Sequence, residues 1–153
     1  MKRLSLIAFI VLGLFACDKD KFETVPQISI KSFGPDVVMK GQLFELVAEI
    51  TDKEGDIQDS VLLVRKRFTN PTTQVPPRRD DTTFISLKDF SIPNKSKVEL
   101  RITFAYGESF PGTFLYNIQE GVDRGVKYEI MISDKAKNKS SLVETKMITL
   151  KKV

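Results

Sequence analysis

Four carboxylates lie within eight residues in the first half of the chain: Asp52, Glu54, Asp56 and Asp59. Hard oxygen ligands of this kind bind Ca²⁺, which takes about six to eight oxygens in a protein site. The spacing excludes an EF-hand, because counting Asp52 as position 1 puts Ile57 at position 6, where that loop requires glycine. A calcium site at this turn therefore needs further ligands from another loop.

A second group of oxygen ligands, Asp134 and Asn138, follows an apolar run near the C-terminus. If the chain folds as a sandwich, the loop after the second strand and the loop between the last two strands lie at the same pole. Asp134 and Asn138 would then approach the acidic turn over residues 52–59 and complete a cage of oxygens. The alternative is that these side chains only make turns, by accepting hydrogen bonds from nearby backbone N–H groups.

Cys17 is the only cysteine of the chain. A single thiol cannot form an intramolecular disulfide, so Cys17 is free, joined to another molecule or modified. It follows a positively charged start at Lys2 and Arg3 and an apolar run, which together have the form of a secretory signal. That run is shorter than the about 20 residues that span a bilayer. Its place at the end of the signal predicts that Cys17 is modified.

The sequence Leu14-Phe15-Ala16-Cys17 resembles the lipobox of bacterial lipoproteins, in which the thiol is acylated and the chain is cut before the cysteine. Phe15 is bulkier than the residue usual at that position, and the alternative is a short membrane anchor that is never cut. The resemblance implies a signal peptide over residues 1–16 and lipid on Cys17. It also implies a location at the outer membrane, on its periplasmic or its cell-surface face.

Residues 17–25 are predicted to be the lipidated cysteine and a flexible tether to the domain, because Asp18 to Val25 is polar, charged and without periodicity. Asp18, Asp20 and Glu23 resemble the acidic stretch that follows the cysteine in surface lipoproteins of the Bacteroidota type, the alternative being an ordinary solvated linker. Residues 1–16 carry two basic side chains and no acidic one, so their removal lowers the net charge from +4 to +2. A charge so close to balance gives no support for a nucleic-acid partner.

Catalysis has little support in the composition. The chain has no histidine, which excludes Ser-His-Asp and Cys-His arrangements and histidine-ligated zinc. No Gly-rich phosphate loop follows a strand and opens a helix. The protein is therefore expected not to be an enzyme.

The elements that must position these side chains are strands, because apolar and polar residues alternate with a period of two from Pro26 onward. Gly, Pro, Asn and Asp separate the alternating runs, and no capped amphipathic helix is predicted. The sequence thus predicts an all-β, antiparallel sandwich of seven or eight strands over residues 26–153. The predicted strands cover residues 27–33, 42–51, 60–68, 82–90, 97–106, 113–118, 126–133 and 141–151.

The run over residues 126–140, with Asp134, Ala136, Asn138 and Ser140 at alternate positions, resembles the final hairpin of bacterial Ig-like and cadherin-like modules. The turn over residues 52–57 resembles the acidic turn after the second strand in small Bacteroidota-type lipoproteins. These resemblances imply an immunoglobulin-like fold. Cadherin-like modules use comparable loop clusters to bind calcium.

Basic residues are concentrated at Arg65, Lys66 and Arg67 and again at Arg78 and Arg79. Such a stretch could attract an acidic partner or lipid head groups. Arg65 and Arg67 alternate with apolar neighbours, so the expectation is an ordinary solvated face of a strand.

The function expected from these features is that of a lipid-anchored envelope protein with a binding or structural role, such as an adhesion module or an accessory subunit. Its partner is an unidentified protein or glycan. The alternative is a carbohydrate-binding lipoprotein of a glycan uptake system, with Phe110, Phe114 and Tyr116 as an aromatic platform for sugar. The chain has no tryptophan, and packing of these rings in the core is the favoured interpretation.

Overall fold

The structure of the protein is a computed structural model, and it describes residues 24–70, 73–116 and 121–152. The predicted signal peptide, Cys17 and most of the predicted tether lie outside these residues. Eleven strands are found in the described part of the chain, and eight of them have three or more residues, as predicted. They are β1 (Gln27–Gly34), β2 (Val37–Val38), β3 (Leu43–Thr51), β4 (Ser60–Asn70), β5 (Thr73–Gln74), β6 (Thr82–Ser86), β7 (Lys97–Tyr106), β8 (Phe114–Tyr116), β9 (Arg124–Ser133), β10 (Val143–Glu144) and β11 (Ile148–Leu150).

The strands form two sheets. The first has the order β1-β3-β7-β8, and the second has the order β2-β11-β9-β4-β5, with β10 paired to β9 and β6 paired to β4. Strands β1, β3 and β7 correspond to A, B and E of an immunoglobulin domain, and β11, β9 and β4 correspond to G, F and C. The predicted all-β, immunoglobulin-like sandwich is therefore confirmed.

The pairing is antiparallel with two exceptions. β2 pairs with β11 and β7 pairs with β8 in parallel, so the predicted purely antiparallel arrangement is wrong at these two short contacts. The first exception arises because the chain continues from β1 into β2 as it passes from one sheet to the other.

The core lies between the sheets and follows the predicted alternation. Phe44, Leu46, Ala48 and Ile50 of β3 are buried, as are the inward residues of β9 from Val126 to Ile132. The Phe104 ring lies between two others, with centroids 4.9 Å from Phe44 and 4.8 Å from Tyr128. Each fully buried side chain of this size stabilises the fold by about 1.5–3 kcal/mol.

Two predicted strands are shorter or interrupted in the structure. β6 ends at Ser86 rather than at residue 90, because the chain turns after Leu87 and the N–H of Phe90 donates to the carbonyl of Leu87 (3.2 Å). The last predicted strand is split into β10 and β11 around the buried Thr145, whose hydroxyl accepts a hydrogen bond from the N–H of Tyr128 (3.0 Å).

One pole of the sandwich is formed by the loop over residues 52–59 and the turn over residues 134–139. The register of β4 with β9 pairs Ser60 with Ser133, which places the start of β4 beside the end of β9. The loop before β4 and the turn after β9 consequently lie next to each other. They share one pole, as the sandwich topology predicts.

Candidate metal centre

Three carboxylates meet at this pole, and we call them the acidic cluster: Asp52, Asp56 and Asp134. Each offers one carboxylate oxygen, and these oxygens all lie within 4.8 Å of one another. Asp52 is 0% and Asp134 is 1% exposed, and Asp56 is half-buried. Ligands on opposite sides of a calcium ion are about 4.6–5.2 Å apart, twice the usual Ca–O distance. The spacing thus fits ligation of a single Ca²⁺.

The loop after β3 holds two of these carboxylates through its backbone. The N–H of Asp52 donates to the carbonyl of Ser96 (2.9 Å), and the N–H of Asp56 donates to Oδ2 of Asp52 (3.1 Å). Gly55 between them has a φ of +69°, and a Cβ there would lie 3.0 Å from the carbonyl carbon of Lys95. Only glycine fits this position without strain.

The turn after β9 holds the third carboxylate. The backbone N–H and the side-chain amide of Asn138 donate to the two oxygens of Asp134, each at 2.8 Å. Between them, Lys137 adopts a left-handed conformation with a φ of +71°. The N–H of Lys135 donates to the carbonyl of Asp56 (3.2 Å) and links the two loops. Asn138 therefore fixes the orientation of Asp134 within the acidic cluster.

The acidic cluster lacks a compensating positive charge. Oδ1 of Asp52 is buried and has no hydrogen-bond partner, and no lysine or arginine in the described part of the chain forms an ion pair with any of the three carboxylates. Burial raises the pKa of Asp56, and the neighbouring carboxylates of Asp52 and Asp134 raise it further. Buried charges are normally paired or bound to a metal. The geometry therefore suits a cation or a proton.

The other two acids of the predicted cage lie outside the acidic cluster. Glu54 is exposed. Asp59 forms ion pairs with Lys137 and with Lys88 (3.4 Å), and the hydrogen bond from Lys137 lowers the pKa of Asp59. Of the six predicted site residues, the structure brings together Asp52, Asp56 and Asp134, with Asn138 beside them.

A third buried carboxylate, Asp81, lies away from the acidic cluster and is surrounded by basic side chains. Asp81, at the end of a short 3₁₀ helix (Arg79–Asp81), accepts hydrogen bonds from Arg65 Nε (2.8 Å), Arg67 Nη2 (3.0 Å) and the N–H of Arg78 (2.6 Å). Burial alone would raise the pKa of Asp81, but the bonds from Arg67, Arg78 and Arg65 outweigh it and lower that pKa. Two guanidinium groups thus hold Asp81 ionised.

The prediction that Arg65 and Arg67 form a solvated strand face is wrong. Arg67 is 5% exposed, and the Arg65 guanidinium lies 4.4 Å from the centroid of the Tyr116 ring. Both arginines share the side of β4 that carries the buried Val61 and Leu63, which is the core side. That shared alternation was the signal in the sequence for their burial.

The three aromatic residues of the carbohydrate hypothesis do not share one exposed surface. Tyr116 is buried, as the core-packing interpretation predicted, whereas Phe110 and Phe114 are 37% and 38% exposed. The Phe114 ring lies 6.0 Å from that of Phe104, at the margin of the core.

No helix within residues 24–70, 73–116 and 121–152 has the length and apolar composition needed to cross a membrane.

Comparison with known proteins finds no matching family model and no matching curated protein. Among solved structures, the chain is similar to Spo0M, a sporulation control protein from Bacillus subtilis (12% identity, TM-score 0.41), with coverage of 84% of this chain and 50% of Spo0M. It is also similar to the CARDB domain of the PF1109 protein from Pyrococcus furiosus, solved in complex with di-metal ions (14% identity, TM-score 0.31), with coverage of 88% and 99%. The chain spans half the length of Spo0M. Likeness at these TM-scores assigns no function, and the fold rests on the strand topology itself.

Proposed function

We propose that this protein is exported, anchored by lipid on Cys17 to the outer membrane, and has a non-catalytic binding or structural role in which Ca²⁺ stabilises one pole of the sandwich. The observation that carries the calcium site is the buried Oδ1 of Asp52, which has no partner and lies beside two further carboxylates. The proposed lipid anchor and the proposed location at the outer membrane rest on the sequence of residues 1–17.

Calcium is the cation that suits this donor set. The acidic cluster offers carboxylate oxygens from two loops, and Ca²⁺ accepts such oxygens, with backbone carbonyls and waters, in a flexible geometry. Mg²⁺ demands near-ideal octahedral geometry and usually keeps several waters, which the burial of Asp52 and Asp134 opposes. Zinc prefers histidine and thiolate ligands, and the chain has no histidine and a single cysteine.

The ion would act by joining two loops that already touch. The loop over residues 52–59 leads into β4, and the turn over residues 134–139 follows β9, the strand paired with β4. Binding of one cation by Asp52, Asp56 and Asp134 would cancel their mutual repulsion and hold the ends of these strands together. The proposed role of the ion is therefore structural.

The calcium site is tested by thermal unfolding of the full chain in mild detergent, with EDTA or with millimolar Ca²⁺. A ligand that binds only the native state at one hundred times its Kd adds about 2.7 kcal/mol, so the midpoint is expected to rise by several degrees. Asp134→Asn should lose most of this rise. Glu54→Gln removes an exposed carboxylate from the same loop and should keep it.

An unchanged midpoint with calcium would assign these carboxylates to turn formation alone. A rise that survives in Asp134→Asn would place the ion elsewhere on the protein. A rise of equal size with Mg²⁺ would contradict the choice of calcium.

The anchor is tested by expression of Cys17→Ser in a Gram-negative host fed with labelled palmitate. Loss of the label and release of the chain from the membrane fraction are expected, because two acyl chains hold a protein stably whereas none does. Asp52→Asn is the matched control and should remain labelled and bound. Membrane retention of unlabelled Cys17→Ser would indicate an uncut N-terminal anchor instead.

A further inference from the structure

The first sheet has an open edge along most of β7. Strand β3 pairs with β7 from Lys97 to Ala105, whereas β8 pairs with it on the other side only at Phe104–Tyr106. On that side, no backbone group in the described part of the chain pairs with residues 97–103. A row of free N–H and C=O groups is a template for another strand.

The opposite edge of the same sheet is protected against such pairing. β1 has a register shift between Ile30 and Ser32, with Lys31 at the irregularity. Bulges and lysines are two common ways to keep an edge strand from pairing with another chain. β7 pairs with β3 without any register shift. Its free edge is therefore regular.

An apolar groove of about 680 Å³ runs beside this edge, between the two sheets. Val98 and Leu100 of β7 and Ile85 of β6 line it and are only half-buried. Phe114, which also lines the groove, is partly exposed. A strand laid along β7 would cover the side of the groove that Val98 and Leu100 form.

We propose that the open edge of β7 pairs antiparallel with the same edge of a second copy of this chain, to form a two-fold symmetric dimer. The charges on the outer face of β7 favour this partner. When Leu100 lies opposite Leu100 of the second copy, Glu99 lies opposite Arg101 of that copy, and Arg101 lies opposite its Glu99. Opposite charges at directly facing positions stabilise a pair of strands.

The same charges select one register. A shift of two residues in one direction places Glu99 opposite Glu99, and a shift in the other direction places Arg101 opposite Arg101. Like charges at facing positions destabilise the pair, and a shift of one residue would turn the apolar side chains to solvent. Within one chain, Arg101 pairs with Glu99 (2.8 Å) and with Glu45 (2.6 Å). The side chains of Glu99 and Arg101 are nevertheless 58% and 57% exposed, so both remain accessible to a second copy.

The dimer is tested by sedimentation equilibrium of the full chain in a density-matched detergent, over a range of protein concentrations. The wild type is expected to have the mass of a dimer. Glu99→Arg alone, or Arg101→Glu alone, should raise the dissociation constant by about tenfold or more, because each creates two repulsive contacts across the two-fold axis. The double variant Glu99→Arg/Arg101→Glu should dimerise as the wild type does.

A mixture of the two single variants separates loss of pairing from loss of folding. In that mixture, each substituted position meets its opposite charge on the other variant, so heterodimers should form at the wild-type concentration. Lys31→Glu, a charge reversal at the protected β1 edge, is the control and should leave the mass unchanged. Circular dichroism of each variant verifies the fold.

The proposal is overturned if the wild type is monomeric at every concentration, or if its dimer is indifferent to both single reversals. A monomer that instead binds extended peptides at this edge would assign β7 to a different partner. Neither outcome bears on the calcium site, which lies in other residues.

Discussion

The sandwich buries carboxylates in two places and neutralises them in different ways. Asp81 lies against Arg65 and Arg67, two residues apart on the core side of β4, and also accepts a backbone hydrogen bond. The acidic cluster of Asp52 and its neighbours is equally buried at its centre but receives no basic side chain from the described residues. One site carries its own cations, and the other has a net negative charge.

The presence or absence of basic partners distinguishes the two sites: Asp81 is part of a structural ion pair, whereas the acidic cluster is a candidate binding site. A buried charge destabilises the native state unless it is paired, hydrogen-bonded or bound to a metal. Around Asp81 the protein supplies those partners, and the lowered pKa of Asp81 records their effect. At the pole, burial and the neighbouring carboxylates raise the pKa of Asp56, so the folded chain favours a proton or a cation there. Burial of a carboxylate alone therefore does not indicate a cation site, whereas a cluster of buried carboxylates without a basic partner does.

The largest expected effect on the free energy of unfolding comes from replacing Asp81, which is paired with arginines, by the isosteric asparagine. Asp81→Asn should destabilise the protein by about 3 kcal/mol, because it removes the counter-ion of the buried Arg67. Urea denaturation with and without calcium measures the free energy of unfolding. The loss should be the same in both conditions, since Asp81 lies outside the acidic cluster.

An aspartate-to-asparagine substitution in the acidic cluster should have the opposite effect in EDTA and stabilise the protein. Asp52→Asn keeps an oxygen to accept the N–H of Asp56 and places an amide where Oδ1 lacks a partner. Without a cation, removal of one of three clustered charges should raise stability by about 1 kcal/mol. Destabilisation of both variants in EDTA would show that the two sites do not differ in this way.

The smallest expected effect is in the pH dependence without calcium. The raised pKa of Asp56 means that the folded state holds this proton more tightly than the unfolded state, so its unfavourable contribution to stability diminishes as the pH falls from neutral into the ordinary carboxyl range. The contribution of Asp81, whose pKa is lowered, is present above the unfolded pKa and is lost as the pH falls through the folded pKa.

Thermal midpoints in EDTA between neutral pH and about pH 4 separate the two contributions. In EDTA at neutral pH, Asp56→Asn should be more stable than the wild type, and this difference in midpoint should shrink as the pH falls. The disadvantage of Asp81→Asn should persist through the same range and shrink only at lower pH. A constant difference between wild type and Asp56→Asn would contradict the raised pKa.

Strands with a clear period of two were predicted well. β7 spans residues 97–106 as predicted, and β3 and β9 bury the residues that the alternation assigns to the core. β6 and the split pair β10 and β11 were predicted less well. β6 ends at a turn in which the N–H of Phe90 donates to the carbonyl of Leu87, and β10 is separated from β11 where Thr145 contacts Tyr128, a residue distant in sequence. Alternation is a local property of the sequence, and the contact between Thr145 and Tyr128 is not.

The residues of the candidate metal centre were likewise predicted only in part. Turn-forming acids after β3 and β9, together with the sandwich topology, predicted that Asp52, Asp56, Asp134 and Asn138 approach one another. The sequence could not separate these residues from Glu54 and Asp59, because all six have suitable oxygens. In the tertiary structure, Glu54 is exposed and Asp59 pairs with lysines.

The sequence by itself determined the sandwich and the location of its acidic loops, because strand periodicity and turn chemistry depend on neighbouring residues. The tertiary structure decided which carboxylates lack a cation, that Arg65 and Arg67 belong to the core with Asp81, and which side of β7 is open. Each of these depends on residues that only folding brings into contact. Whether a buried carboxylate has a basic partner, and whether a strand is paired on both sides, is decided only when the sheets assemble.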